Sequence, residues 1–157
     1  MTALRNLSLR VEAADSEASS ALQAAFFADI TSRYPEWSPA ASQSVEASDL
    51  APPGGVWIVA YLDDRPVGCG GLQALGPTIG EVRRIFLDRS ARGHGVGRAI
   101  LAELEAHAQR IGYERVRLTT GDGQPEALGL FESAGYEKIP PFTDGAFTRH
   151  WMEKVLR

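Results

Sequence analysis

Seven residues, Arg92-Gly93-His94-Gly95-Val96-Gly97-Arg98, constrain this chain more than any others. An apolar, strand-like run from Val82 to Leu87 leads into them. A helical stripe follows, with Val96, Ile100, Leu104, Ala108 and Ile111 on one side and Gly112 as its stop. Strand, glycine-rich basic turn and helix N-terminus together make an anion site on physical grounds. The first N–H groups of a helix lack an internal acceptor, and the helix dipole adds partial positive charge there. Glycine lets the backbone approach a bound phosphate closely, and two guanidinium forks add full charges. The alternative for such a turn is a tight corner that binds nothing.

The rest of the chain supplies a sheet for this unit. Leu7-Ser8-Leu9-Arg10-Val11 alternates as a first strand. Asp15 is placed to cap a helix that runs to about Arg33, with Leu22, Ala25, Phe26, Ile30 and Arg33 near one face. Val56 to Leu62 is apolar throughout and reads as a buried strand. Asp63-Asp64-Arg65-Pro66 turns the chain, and Val67 to Leu75 returns as the hairpin partner. Gly68, Gly70 and Gly71 in that partner mark a bulge or a close backbone approach. Gly76-Pro77 turns again into a fourth strand, Thr78 to Leu87, and Arg115 to Thr119 alternates as a fifth. Pro125 suits a first helical position. Ala127, Leu130, Phe131 and Ala134 then follow at helical spacing, and Gly135 ends that helix. Ala146 to Val155 reads as a returning last strand. The irregular stretch from Tyr34 to Gly55 carries four prolines and a short helix near Ser44 to Leu50. Loops of this length are usually functional or disordered; it reads as a lid on the acceptor side, with a plain connection as the alternative. The order β-α-(α)-β-β-β-α-β-α-β predicts an α+β fold, with a mixed sheet and helices on both faces.

At 157 residues the chain suits a single domain, 1–157, with a core of its own. Hydrophobic content of 44% and charged content of 23% are those of an ordinary globular protein. The longest apolar run, Val56 to Leu62, is far short of a membrane span, and the N-terminus lacks a signal-peptide apolar core. Cys69 is the only cysteine, which excludes an internal disulfide and fits a reducing, cytoplasmic setting. As a lone cysteine on a strand it reads as core. One cysteine and three histidines show no metal-ligand spacing, so no metal is expected. A net charge of −4 argues against nucleic acid as a partner.

Three phosphate-loop patterns compete for the turn. A P-loop needs Lys-Ser or Lys-Thr after the glycines, and none follows. A dinucleotide fingerprint needs Gly-x-Gly-x-x-Gly, yet its last position falls on Arg98 or Ile100. The pattern Gln/Arg-x-x-Gly-x-Gly/Ala is satisfied by Arg92, Gly95 and Gly97. In this the chain resembles the GNAT acetyltransferases, whose pyrophosphate-binding motif it is. The likeness runs from about Val56 to Gly135 and includes the order of elements.

The resemblance implies a GNAT-like, mostly antiparallel sheet of six to seven strands flanked by helices, with strands four and five splayed. It implies acetyl-CoA as cosubstrate. Arg92, Gly93, His94, Gly95, Val96, Gly97 and Arg98 would hold the diphosphate. The backbone edge Ile85-Phe86-Leu87 would bond the pantetheine amides like an added strand, with the Leu87 region near the acetyl carbonyl. The acceptor is then a primary amine of a small molecule or peptide, attacking directly in a ternary complex. Its ammonium must lose a proton first, and Glu81 is the candidate base. Glu81 lies six residues before Leu87, which for a regular strand means the same face. A solvated charge, or an ion pair with Arg83 or Arg84, is the plainer account of it.

Many family members protonate the departing thiolate with a tyrosine after strand five, in a pattern like Asn-x-x-Ala-x-x-Leu-Tyr-Glu-x-x-Gly-Phe/Tyr. Here Gln124 stands at the Asn position and Phe131 at the Tyr position, both beside the expected cofactor. Phenylalanine has no proton to give, so Tyr136 and Tyr61 are substitute candidates. The gap also keeps open a non-catalytic acyl-CoA-binding or regulatory module, and more remotely a nucleotide-binding protein. Of Trp37, Trp57 and Trp151, Trp37 in the loop is the one placed for an acceptor pocket. Family likeness is compatible with a homodimer.

Overall fold

The computed structural model describes residues 6–38 and 45–156. Its strands are β1 (Leu7–Val11), β2 (Val56–Leu62), β3 (Arg65–Ala74), β4 (Ile79–Leu87), β5 (Arg115–Thr120), β6 (Glu137–Lys138) and β7 (His150–Val155). The helices are α1 (Glu17–Arg33), α2 (Val96–Ile111) and α3 (Pro125–Ser133), with 3₁₀ turns at Ala47–Leu50 and Arg89–Ala91. One seven-stranded sheet runs β1-β2-β3-β4-β5-β7-β6. Only β4 and β5 are parallel; every other pairing is antiparallel. This is the α+β mixed sheet expected from the order of elements.

Alternation along β2 explains why the whole run is apolar. Val56, Ile58 and Ala60 pack with the α2 stripe of Val96, Ile100, Leu104 and Ala108. Trp57, Val59 and Tyr61 face the other way, towards Leu22 and Phe26 of α1. A strand with a helix layer on each face has no side left for polar residues. Close packing of α2 depends on Gly70, where an added Cβ would lie 2.9 Å from Ile100 and 3.1 Å from Ile85. Ser16, not Asp15, caps α1, its Oγ accepting the Ser19 N–H at 3.1 Å. Ala25 points to solvent, so the buried face of α1 is Leu22, Phe26 and Ile30.

Two features of β4 shape the centre of the sheet. The β3–β4 register passes from Gly71↔Arg83 to Cys69↔Phe86, so two residues of β4 stand against Gly70 alone. Arg84, at φ +57°, is the bulge residue. The extra residue flips the face of everything after it. Val82, Ile85 and Leu87 join the α2 side, while Phe86 joins the α1 side. Glu81 and Leu87 therefore lie on opposite faces, which corrects the reading from simple six-residue alternation. The second feature is that β4 and β5 pair only at Ile79↔Arg115, Gly80↔Val116 and Glu81↔Arg117. Beyond these they part, as the resemblance implied.

The end of the chain also departs from expectation. β7 begins at His150 rather than Ala146, and it zips along all of β5 from Arg115↔Val155 to Thr120↔His150. The two-residue β6 adds a short edge beyond it. In the Tyr34 to Gly55 stretch, residues 39–44 lie outside the described residues, and the helical part is the 3₁₀ turn Ala47–Leu50.

Candidate functional site

Where β4 and β5 separate, a cleft of about 420 Å³ opens. Its walls are Val82, Ile85, Phe86 and Leu87 on one side and Leu118, Thr119 and Thr120 on the other. Leu130 and Phe131 of α3 close one flank, and Phe26, Asp29 and Ile30 of α1 close the opposite one. Gly93, Gly95, Gly97, Arg92 and Arg98 stand at its mouth.

The mouth is built by the backbone. Gly95, at φ +80°, is the N-cap of α2 and offers no side-chain oxygen. The first intrahelical bond is from Ala99 N–H to Gly95 C=O, at 3.1 Å. The N–H groups of Val96, Gly97 and Arg98 thus have no helical acceptor. A residue such as Ser or Asp at the cap would have occupied one of them. Gly93 is also left-handed, at φ +81°, and an added Cβ there would meet nothing within 4 Å. The turn is therefore open to a ligand. Gly97 is different: a Cβ there would press to 3.3 Å against both Leu87 and Leu130.

The side chains of the turn divide. Arg92 Nε donates to the Leu87 carbonyl at 3.2 Å, and its Nη2 lies 3.8 Å from Asp29. Arg98 reaches Ser133 on α3. Val96 points wholly into the core, so only its N–H could serve a ligand. His94 is exposed on the turn, and its side chain does not border the cleft. Gln124 sits at the N-cap of α3 without bonding the helix through its side chain, and it lines the cleft beside Phe131.

Glu81 does not border this cleft. It is 2% exposed and lines a second, smaller cavity of about 120 Å³, on the α1 side of the sheet. Gln73 Nε2 donates to its Oε1 at 2.8 Å, and Arg83 Nη1 lies 3.9 Å from the same oxygen. Trp37 lines that cavity with Phe147 and Asp144. Trp57 is core, and Trp151 is occupied in donating Nε1 to Thr143 at 3.1 Å. Neither substitute tyrosine reaches the cleft. Tyr136 is buried and donates to Glu105 at 2.8 Å; burial and that carboxylate push its hydroxyl well above the usual range. Tyr61 donates to Glu12, and this bond and burial raise it too. Cys69 is inert, its thiol pushed up to about 12 by burial.

Matching this geometry, residues 21–136 fit the sequence profile of the Acetyltransferase (GNAT) family. The chain belongs to that family. It is 33% identical over 87 residues to YsnE, an uncharacterized N-acetyltransferase of Bacillus subtilis (strain 168). It is 32% identical over 99 residues to the IAA acetyltransferase of Azospirillum brasilense. These matches take in 54% and 62% of the chain, and they span 58% and 65% of the relatives' own lengths. The fold also superposes on the PaiA N-acetyltransferase of Thermoplasma acidophilum, solved in complex with coenzyme A. There the TM-score is 0.72 at 15% identity, over 95% of this chain and 98% of that one. The seven-stranded sheet with its parted central strands is thus a GNAT fold.

Several residues of this GNAT site carry no signal in the motif. Asp29 bridges Arg92 and Arg33, and Arg33 in turn pairs with Glu126 of α3, so charges tie α1 across the cleft. Arg84 lines the cleft from the bulge, held by Gln23 at 2.6 Å and the Phe27 ring at 4.9 Å. Burial and the neighbouring Arg83 charge lower its pKa. The Arg83-Arg84 pair does interrupt the apolar alternation of β4, and that interruption was the legible trace of the bulge. The segment from Thr143 to Thr148 has no periodicity to betray that it walls the second cavity.

Proposed function

We propose that residues 1–157 act as one N-acetyltransferase domain, moving the acetyl group of acetyl-CoA to a primary amine of a small molecule or peptide. The observation that carries this is the uncapped N-terminus of α2, whose free N–H groups open through Gly93 and Gly95 onto the cleft between the parted strands. Backbone donors, helix dipole and Arg92 and Arg98 suit a diphosphate. When bound, acetyl-CoA would supply an activated thioester. The Ile85–Leu87 edge of β4, with no strand beside it on the cleft side, would hold the pantetheine arm by its backbone.

Glu81 would act from the other cavity. It stands on the face towards α1, where the β4–β5 pairing ends, and it can draw a proton from an ammonium entering past Trp37. An aromatic wall of Trp37 and Phe147 suits a cationic acceptor. The base role predicts that Glu81→Gln lowers kcat/KM by about 10²- to 10⁴-fold, the usual worth of a general base. The loss should ease at high pH, where more of the amine is already neutral. A variant whose pH profile equals wild type removes Glu81 from the mechanism.

Phe131 favours one alternative, a module that binds acyl-CoA without turnover, because no tyrosine hydroxyl stands in for the missing acid. Thiol release measured against a panel of amines separates the two. Turnover supports the enzyme; tight CoA binding with none across the panel supports the module.

A further inference from the structure

Among the described residues, two buried side-chain polar atoms lack a hydrogen-bond partner: Trp57 Nε1 and Thr120 Oγ1. Trp57 is sealed in the core beneath Gly71 and borders neither cavity. Thr120 is 7% exposed and lines the cleft. A buried hydroxyl left without a partner is unfavourable, and one that faces ligand space is satisfied when the ligand arrives.

The position of Thr120 says which part of the ligand. An acyl group passing from donor to acceptor must sit where the two cavities meet. Thr119 is the residue that lines both. Along β5 the faces alternate, so Thr119 shares the α1 side with Arg117, while Thr120 shares the cofactor side with Leu118. Of the residues that line the cleft with Thr120, Leu118, Ala127, Leu130 and Phe131 are apolar. Its backbone is pinned: Arg149 N–H donates to the Thr120 carbonyl at 3.1 Å, and β7 pairs beside it at His150.

We propose that the Thr120 hydroxyl donates a hydrogen bond to the thioester sulphur at the junction of the two cavities, holding the charge that gathers there as the acyl group leaves. This rests on the acetyl-CoA reading of the cleft. In the transfer, the amine nitrogen forms the new bond to the carbonyl carbon, and the carbon–sulphur bond breaks with its electron pair going to sulphur. Nitrogen loses two protons, one from the ammonium before attack and one from the tetrahedral adduct; Glu81 passes each to water, and the thiolate takes one proton back from water. Thr120 keeps its own proton throughout. A donor to a full charge is about twice as strong as one to a neutral acceptor, so the bond tightens as the thiolate forms. It acts on a wall where Phe131 can offer none.

The test is calorimetry with coenzyme A and with desulfo-coenzyme A, which lacks the sulphur, on wild type, Thr120→Ser and Thr120→Val. At a pH about one unit above the pKa of the coenzyme A thiol, read in the same buffer from its thiolate absorbance, the sulphur is largely thiolate. There Thr120→Val should weaken coenzyme A about five- to tenfold and leave desulfo-coenzyme A unchanged, while Thr120→Ser keeps wild-type affinity for both. The loss should shrink at neutral pH, and kcat of Thr120→Val should fall with little change in the acceptor KM. If Thr120→Val weakens both ligands equally, or neither, the sulphur contact is wrong. Thr120→Ala serves in the same comparison if the valine variant does not fold. Failure of wild type to bind coenzyme A at all would instead sink the acetyl-CoA reading itself.

Discussion

Gly95 does two jobs that no other residue type combines. Its φ of +80° sets the sharp entry to α2, and its missing side chain leaves the first helical N–H groups uncapped. A β-branched residue is strained at that angle and would shield those donors. Gly95→Val is therefore expected to raise the Kd for coenzyme A at least about tenfold, roughly 1.4 kcal/mol, when measured by calorimetry on the folded variant. Unchanged affinity would detach the turn from the ligand. At this scale the sequence was informative about backbone conformation, placing the glycine turn directly before α2. It was less so for side chains: Val96 turned inward, His94 stayed on the surface, and Tyr61 and Tyr136 spent their hydroxyls on Glu12 and Glu105. Such partners are distant in sequence, so no local pattern announces them.

At the scale of elements, β5 must hold its place on one side while giving up β4 on the other. Its hold is β7. Arg115 and Arg117 on β5 clasp Glu153 of β7 at 2.6 and 2.8 Å. Burial alone would raise the Glu153 carboxyl, but Arg117 and Arg115 outweigh it and hold it below the usual range. A carboxyl depressed in the fold adds stability above its unfolded value and loses it as pH falls through its folded one. Glu153→Gln should cost about 1–2 kcal/mol at pH 7, since Arg115 is half exposed and its share is screened. In urea melts the gap between variant and wild type should close as pH drops below the ordinary carboxylate range; a gap constant with pH would contradict the clasp. The limits of β2 and α2 were legible because each carries an uninterrupted apolar pattern with a clear stop. The face of Glu81 was not, because one extra residue at Arg84 reverses a period-two count, and alternation cannot show which strand absorbs it.

At the scale of the molecule, the cleft is lined mostly by the contiguous run from β4 to α3, with α1 as its one wall from outside that run, whereas the second cavity draws on Trp37, β4, Thr119 of β5 and the segment before β7. That difference is why the family could be read from residues, and why the second cavity could not. Asp29 and Arg33 of α1 join Glu126 of α3 by charge across the cleft. The proposed function depends on coenzyme A lying with its diphosphate at 92–98 and its arm between the parted strands. Titration of the ¹⁵N-labelled protein with coenzyme A, followed by backbone amide NMR, tests this most directly. Saturable shifts should concentrate at Gly93 to Arg98 and run on through Ile85 to Leu87 and Leu118 to Thr120. Saturable shifts that leave those amides still, and gather elsewhere on the molecule, would contradict it.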